Sequence, residues 1–120
     1  MSTGPIRLLV DFEIHEGKFE QFEAIAKQMA EVTEREPGTL SYRFYLSADR
    51  RLCRLLEGYV DQAAITAHFN GPAVQQFVPQ LLHFCSPTRM DVYGNPGAEV
   101  IAMVTVFGAR IYSPWEGFDR

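Results

Sequence analysis

Ile6-Arg7-Leu8-Leu9-Val10-Asp11-Phe12-Glu13-Ile14-His15 sets the pattern for this 120-residue chain: apolar residues hold the even positions, and Arg7, Asp11, Glu13 and His15 stand between them. A period of two puts Ile6, Leu8, Val10, Phe12 and Ile14 on one face of a β-strand. The period changes at Gly17. Phe19, Phe22, Ile25, Ala26, Met29 and Val32 then fall three or four apart, the stripe of an amphipathic helix of about five turns. Glu23 with Lys27 and Glu31 with Arg35 stand four apart on its wet side, and Pro37-Gly38 ends it.

Working outward, Leu40, Tyr42, Phe44 and Leu46 alternate with Ser41, Arg43 and Tyr45, Ser47 to Arg51 is polar, and Leu52 to Val60 is again rich in strand formers. That pattern predicts a hairpin. Asp61 is placed to cap a short helix carrying Ala64, Ile65, His68 and Phe69. Gly71-Pro72 then starts a second helix with Val74, Phe77, Val78, Leu81 and Leu82, which Pro79 should kink. A fourth strand is expected from about Thr88 to Tyr93. Asn95 is expected to cap a helix with Val100, Ile101, Val104 and Phe107 on one face, Gly108 to stop it, and Ala109 to Tyr112 to form a last short strand.

The order β, α, β, β, α, β is that of the ferredoxin-like split βαβ unit, an α+β fold with a four-stranded antiparallel sheet and helices on one face. A C-terminal helix and strand extend it. The chain therefore divides into one domain over residues 1–95 and an extension over 96–120 packed on the same domain. In the register assumed, the open face carries Leu9, Tyr45, Leu55 and Tyr59 besides Arg43 and Glu57, too apolar to meet water bare. A second copy of the same face is the simplest cover, so a homodimer is expected.

Composition narrows the function. The chain is 47% hydrophobic and 22% charged, enough for one core. Its net charge of -4, with Lys and Arg scattered, argues against nucleic acid and acidic lipid. The longest apolar run, Val100 to Phe107, is too short to span a bilayer, and no targeting segment is evident, so a cytoplasmic protein without membrane contact is expected. Cys53 and Cys85 form no disulfide framework and suit small core residues. His15, His68 and His83 share no face and no carboxylate cluster accompanies them, so no metal is expected. The chain lacks a Gly-rich phosphate loop, a nucleophile elbow and a flavin or nicotinamide fingerprint. No organic cofactor is expected.

Several spaced stretches agree with this order: Glu36-Pro37-Gly38-Thr39-Leu40-Ser41-Tyr42, then Leu55-Leu56-Glu57-Gly58-Tyr59 with Asp61, then Ala67-His68-Phe69 ahead of Pro72 and Phe77. Together, from Ile6 to Tyr93, they resemble the antibiotic biosynthesis monooxygenase domain. The resemblance implies a dimeric α+β barrel and, as the leading function, cofactor-independent monooxygenation of a quinol or a phenolic, polyketide-like aromatic molecule. The fold also hosts haem-degrading enzymes, sugar isomerases and members without a known reaction. Two features depart from the pattern. Many quinol-oxygenase-like members carry a second histidine just after the proline, where this chain has Ala73. The Asn, Trp and His set of haem-degrading members has no counterpart, since strand one lacks Asn and Trp115 lies in the tail. The alternative is a non-catalytic dimeric protein that binds a hydrophobic metabolite or haem, and a third reading is a filled domain that only dimerises.

His68 is the candidate catalytic residue, an imidazole on an apolar helix face, set against a buried histidine bonded to backbone. Glu57 lies on a strand face destined for burial, where a carboxylate needs a partner; an ion pair with Arg43 is the structural alternative. Tyr42, Tyr45, Phe44 and Tyr59 would line a space between sheet and helices or between subunits, where aromatics suit a flat ring. As the resemblance implies, Tyr42 and Tyr59 would hold ring oxygens, while Phe44 and Phe77 form apolar walls. The same cluster also suits plain core.

Overall fold

The computed structural model describes residues 4–120; the first three residues of the expected 1–95 unit lie outside them. The elements are β1 (Ile6–Ile14), α1 (Phe19–Glu34), β2 (Thr39–Leu46), β3 (Leu52–Tyr59), α2 (Gln62–Asn70), a π-helical turn (Ala73–Phe77), α3 (Val78–Leu81), β4 (Cys85–Tyr93), α4 (Ala98–Thr105) and β5 (Arg110–Tyr112). This is the expected ferredoxin-like α+β fold with one correction. The sheet has five strands in the order β2-β3-β1-β4-β5, and β5 runs parallel to β4, so it is mixed instead of four-stranded and antiparallel. The cause is α4, which carries the chain back to Asp91 so that β5 runs beside the last three residues of β4 in the same direction, as the crossover of a parallel pair must.

β1 alternates as its sequence dictates: Ile6, Leu8, Val10, Phe12 and Ile14 are buried beneath the helices. From α1 they meet Phe22, Ala26 and Met29, with Thr33 completing the buried stripe. Cross-strand pairing builds rows on this face. One runs Tyr42, Glu57, Leu8, Val92 and the next Phe44, Leu55, Val10, Met90.

That register corrects the expected open face. Leu55, Glu57 and Tyr59 point toward the helices and are buried; a shift of one residue exchanges every side chain between faces. Arg43 pairs instead with Leu56, so the expected Arg43–Glu57 ion pair does not form. The open face carries Leu9, Tyr45, Leu56, Tyr93 and Tyr112, with Arg54 gripping Asp11 at 2.7 and 2.9 Å and Arg89 bonding Asp91 at 2.7 Å. The Tyr93 and Tyr112 rings stack at 5.4 Å.

Three local rules shape the helical layer. Asp61 caps α2, its carboxylate accepting from the Ala64 N–H at 2.9 Å. Gly38 is required by close approach, since a Cβ there would stand 2.5 Å from the Ala64 Cβ. The kink expected at Pro79 takes the form of a widened turn: the Val78 N–H bonds the Ala73 carbonyl five residues back, because Pro79 has no N–H and its ring displaces the carbonyl four before it. Two expected boundaries move. β4 begins at Cys85, three residues before Thr88, with a bulge opposite Asp11 and Phe12 that admits Pro87 into a strand. The residue before α4 is Gly97, which supplies no side-chain cap, so Asn95 does not cap it.

Candidate functional site

β2 and β3 place Tyr42 and Glu57 side by side, and α2 lowers His68 onto them. His68 is 2% exposed, its ring 5.4 Å from that of Tyr42 and 5.3 Å from that of Tyr59. Its Nδ1 lies 2.8 Å from Glu36 Oε1, not on a backbone carbonyl. The Thr39 hydroxyl donates to the same Glu36 oxygen at 2.8 Å, and the Glu36 backbone N–H bonds the Thr33 carbonyl at 3.0 Å. Glu36 is therefore held from two directions. With Nδ1–H donating to the carboxylate, a neutral ring leaves Nε2 as an acceptor; Nε2 is 3.6 Å from Glu57 Oε1.

Glu57 is 6% exposed and its carboxylate accepts from the Tyr59 hydroxyl. Burial pushes its pKa above the usual carboxylate value, opposed by the His68 ring and the Tyr59 bond. Burial, and then the Glu57 charge, push both Tyr42 and Tyr59 well above the usual phenol value. Both phenols stay protonated as donors.

These groups border a cavity of about 80 Å³ between sheet and helices, lined by Tyr42, Glu57 and His68 and otherwise by apolar side chains that include Leu8, Val10, Met29, Val74, Val78 and Met90. Of the residues expected in a site, His68, Tyr42 and Glu57 line it. Tyr59 stands behind Glu57 and reaches the cavity only through it. Phe44 packs edge to face on Tyr42 at 5.5 Å and lines a separate cleft between α1 and β2. Phe77 is buried and lines neither of these two cavities. Ala73 is fully buried in the π-helical turn.

Glu36 was given no role by the sequence; a carboxylate in the loop after a helix has no periodicity to mark it. Among the described residues no three His, Cys, Asp or Glu side chains could together hold a metal ion, and no helix is long and apolar enough to cross a membrane.

Comparison with known proteins follows the fold. The structure is similar to MupZ from Pseudomonas fluorescens, with a TM-score of 0.84 at 22% identity over 98% of this chain and 95% of that one. It is similar to protein SO0527 from Shewanella oneidensis, with a TM-score of 0.68 at 26% identity over 78% of this chain and 92% of that one. SnoaB, a cofactor-independent oxygenase from Streptomyces nogalater, superposes with a TM-score of 0.67 at 14% identity over 79% of this chain and 96% of that one. Only the first of these three superpositions is extensive enough to take in the C-terminal segment. A search by sequence among curated proteins gave no match. The sequence profile of the antibiotic biosynthesis monooxygenase family matches residues 5–80, the span that builds β1, the hairpin and the helix bearing His68, and the chain belongs to that family.

Proposed function

We propose that the chain is a cofactor-independent monooxygenase acting on a small phenol or quinol, with His68 as the base. The observation that carries this is the pairing of Glu36 with His68 Nδ1 at 2.8 Å while the ring borders an apolar cavity. A base there removes the substrate's phenolic proton in a nearly dry space. The electron-rich phenolate then donates an electron to dioxygen, and the oxygen radical so formed joins the ring carbon. Loss of water from the resulting hydroperoxide leaves a carbonyl. The balance is phenol plus dioxygen giving quinone plus water: all four electrons come from the substrate, and no outside reductant enters.

The protein supplies orientation, exclusion of water and the handling of two protons. Tyr42 donates to the ring oxygen. Glu57, protonated more readily than an exposed carboxylate, returns a proton to the departing oxygen, and Tyr59 holds it. A cavity of about 80 Å³ is several times the roughly 10–15 Å³ that one water needs but about half the roughly 150 Å³ of an apolar cavity that binds benzene, so a single small ring enters only as the walls yield, and haem does not fit.

The chain works as a homodimer in this reading, the open face with Tyr45, Leu56, Tyr93 and Tyr112, each more than a third exposed, covering its own copy. A binding role without catalysis is favoured by one observation, Ala73 at the place of the second histidine. Oxygen uptake with a panel of hydroquinones and naphthols decides between them. Dioxygen-dependent turnover that His68→Ala abolishes supports the oxygenase. Binding of the same compounds without uptake supports the carrier, and turnover that proceeds equally without dioxygen replaces oxygenation by acid–base chemistry.

A further inference from the structure

The burial of the cavity's walls gives it a direction. At one end stand His68 and Glu57, 2% and 6% exposed. The most exposed lining residues are Pro87 and Phe107, while Tyr42, Val74, Val78, Leu82 and Met90 are half-buried; Pro87 and Phe107 mark the mouth. Phe107 is 51% exposed and is the one wall residue contributed from beyond β4.

Its position is fixed, not loose. Val100 and Val104 of α4 are fully buried in the core, and Asn70 of α2 bonds Glu99 at 3.3 Å. After Phe107 the chain closes α4 with a Schellman turn: the Ala109 N–H bonds the Val104 carbonyl at 3.2 Å and the Gly108 N–H bonds the Thr105 carbonyl at 2.9 Å, with Gly108 at φ +74°. This is the left-handed residue such a cap requires. β5 then locks onto β4 from Arg110. The facing wall is set by the β4 bulge that carries Pro87, and bulges re-aim strands beside sites of this kind.

We propose that Phe107 is a specificity-determining residue: held between the α4 cap and β5, its ring limits how long a molecule can be while its polar head reaches His68, Glu57 and Tyr42. The preferred ligand is a ring with one hydrogen-bonding head and a short apolar substituent directed at Phe107. This rests on the reading of the cavity as a phenol site.

The test is binding of two homologous series, 4-alkylphenols from methyl to octyl and 1-alkanols of matching length, to the full chain and to Phe107→Ala and Phe107→Trp by titration calorimetry. Each buried methylene strengthens binding about fourfold until the chain meets the ring, after which the gain stops. The break comes at longer chains in Phe107→Ala and at shorter ones in Phe107→Trp. A break at the same length in all three proteins overturns the proposal and leaves the phenol site standing. A shifting break for alkanols with no phenol binding overturns the phenol reading and keeps Phe107 as the limit. No binding of either series overturns both.

Discussion

His68 Nδ1 and Glu36 Oε1 stand 2.8 Å apart although 32 residues separate them in the chain, and Thr39 holds the same carboxylate oxygen from its far side. The contact orients the imidazole and stabilises the cation it becomes on taking a proton. Glu36→Gln keeps the shape and removes the charge; an amide can also present its nitrogen to Nδ1 and favour the wrong tautomer. The expected outcome is a fall in kcat on the order of 10²-fold, at the lower end of what a positioned base contributes, with KM little changed and the fold intact by circular dichroism. Rescue by Glu36→Asp with adjusted reach is partial. A Gln variant as active as the parent would leave Glu36 a structural partner only.

Glu57 gives a stability prediction whose sign runs opposite to that of a paired surface carboxylate. Burial raises its pKa in the folded chain above the unfolded value, so the folded state holds the extra proton. Stability from this group is fully present below the unfolded pKa and is lost as pH rises through the folded one. Glu57→Gln, neutral at every pH, should therefore melt a few degrees higher than the parent near pH 8, with the difference shrinking as pH falls toward 4. Thermal melts at the two pH values check it. An unchanged difference would mean that the carboxylate is as well satisfied charged as neutral.

Both cysteines are buried, and burial pushes the Cys53 thiol up to about 11 and the Cys85 thiol up to about 12. The Cys85 thiol donates to the Leu81 carbonyl at 3.4 Å. The thiolate is the reactive form, so neither residue should be alkylated by iodoacetamide at pH 8 until the chain unfolds, when both react. Because these acids ionise later in the folded chain, stability falls as pH rises from about 9 through 11. Mass spectrometry after timed labelling reads the first expectation, and denaturant midpoints at rising pH read the second.

The particular residues show why the fold was more legible than the site. β1 announces its buried face because Ile6 to Ile14 alternate without exception on that side, and Asp61 announces a cap because its carboxylate has one use at a helix start. β3 announces nothing comparable. Leu52 and Leu56 sit on one parity and Cys53, Leu55 and Tyr59 on the other, so alternation does not choose a face, and a glutamate on the buried side points the wrong way. The choice was made by tertiary partners, Tyr42 of β2 and His68 of α2, that lie outside the strand's local pattern. β5 was readable as a strand, but its parallel pairing depends on where α4 delivers it, which no periodicity encodes. Phe77 was expected in the site for its place in a resembling motif, whereas the widened turn before Pro79 presents Val74 and Val78 to the cavity in its stead.

Leu56 offers the sharpest test of the open face, because it can be changed without touching the core. It is 39% exposed, pairs with Leu9 on one side and Arg43 on the other, and points away from His68 and the cavity. In a two-fold contact each substitution acts twice. Leu56→Arg puts a second cation beside Arg43 in a surface that the partner copy would seal from water, and like charges so placed cost several kcal/mol. That is on the order of a thousandfold or more in dimer affinity. Size-exclusion chromatography with light scattering should show the parent as a dimer and Leu56→Arg as a folded monomer at micromolar concentration. A parent that runs as a monomer removes the open face as a dimer contact, and its tyrosines are then a wet aromatic surface. A variant that stays dimeric places the contact on another surface of the chain.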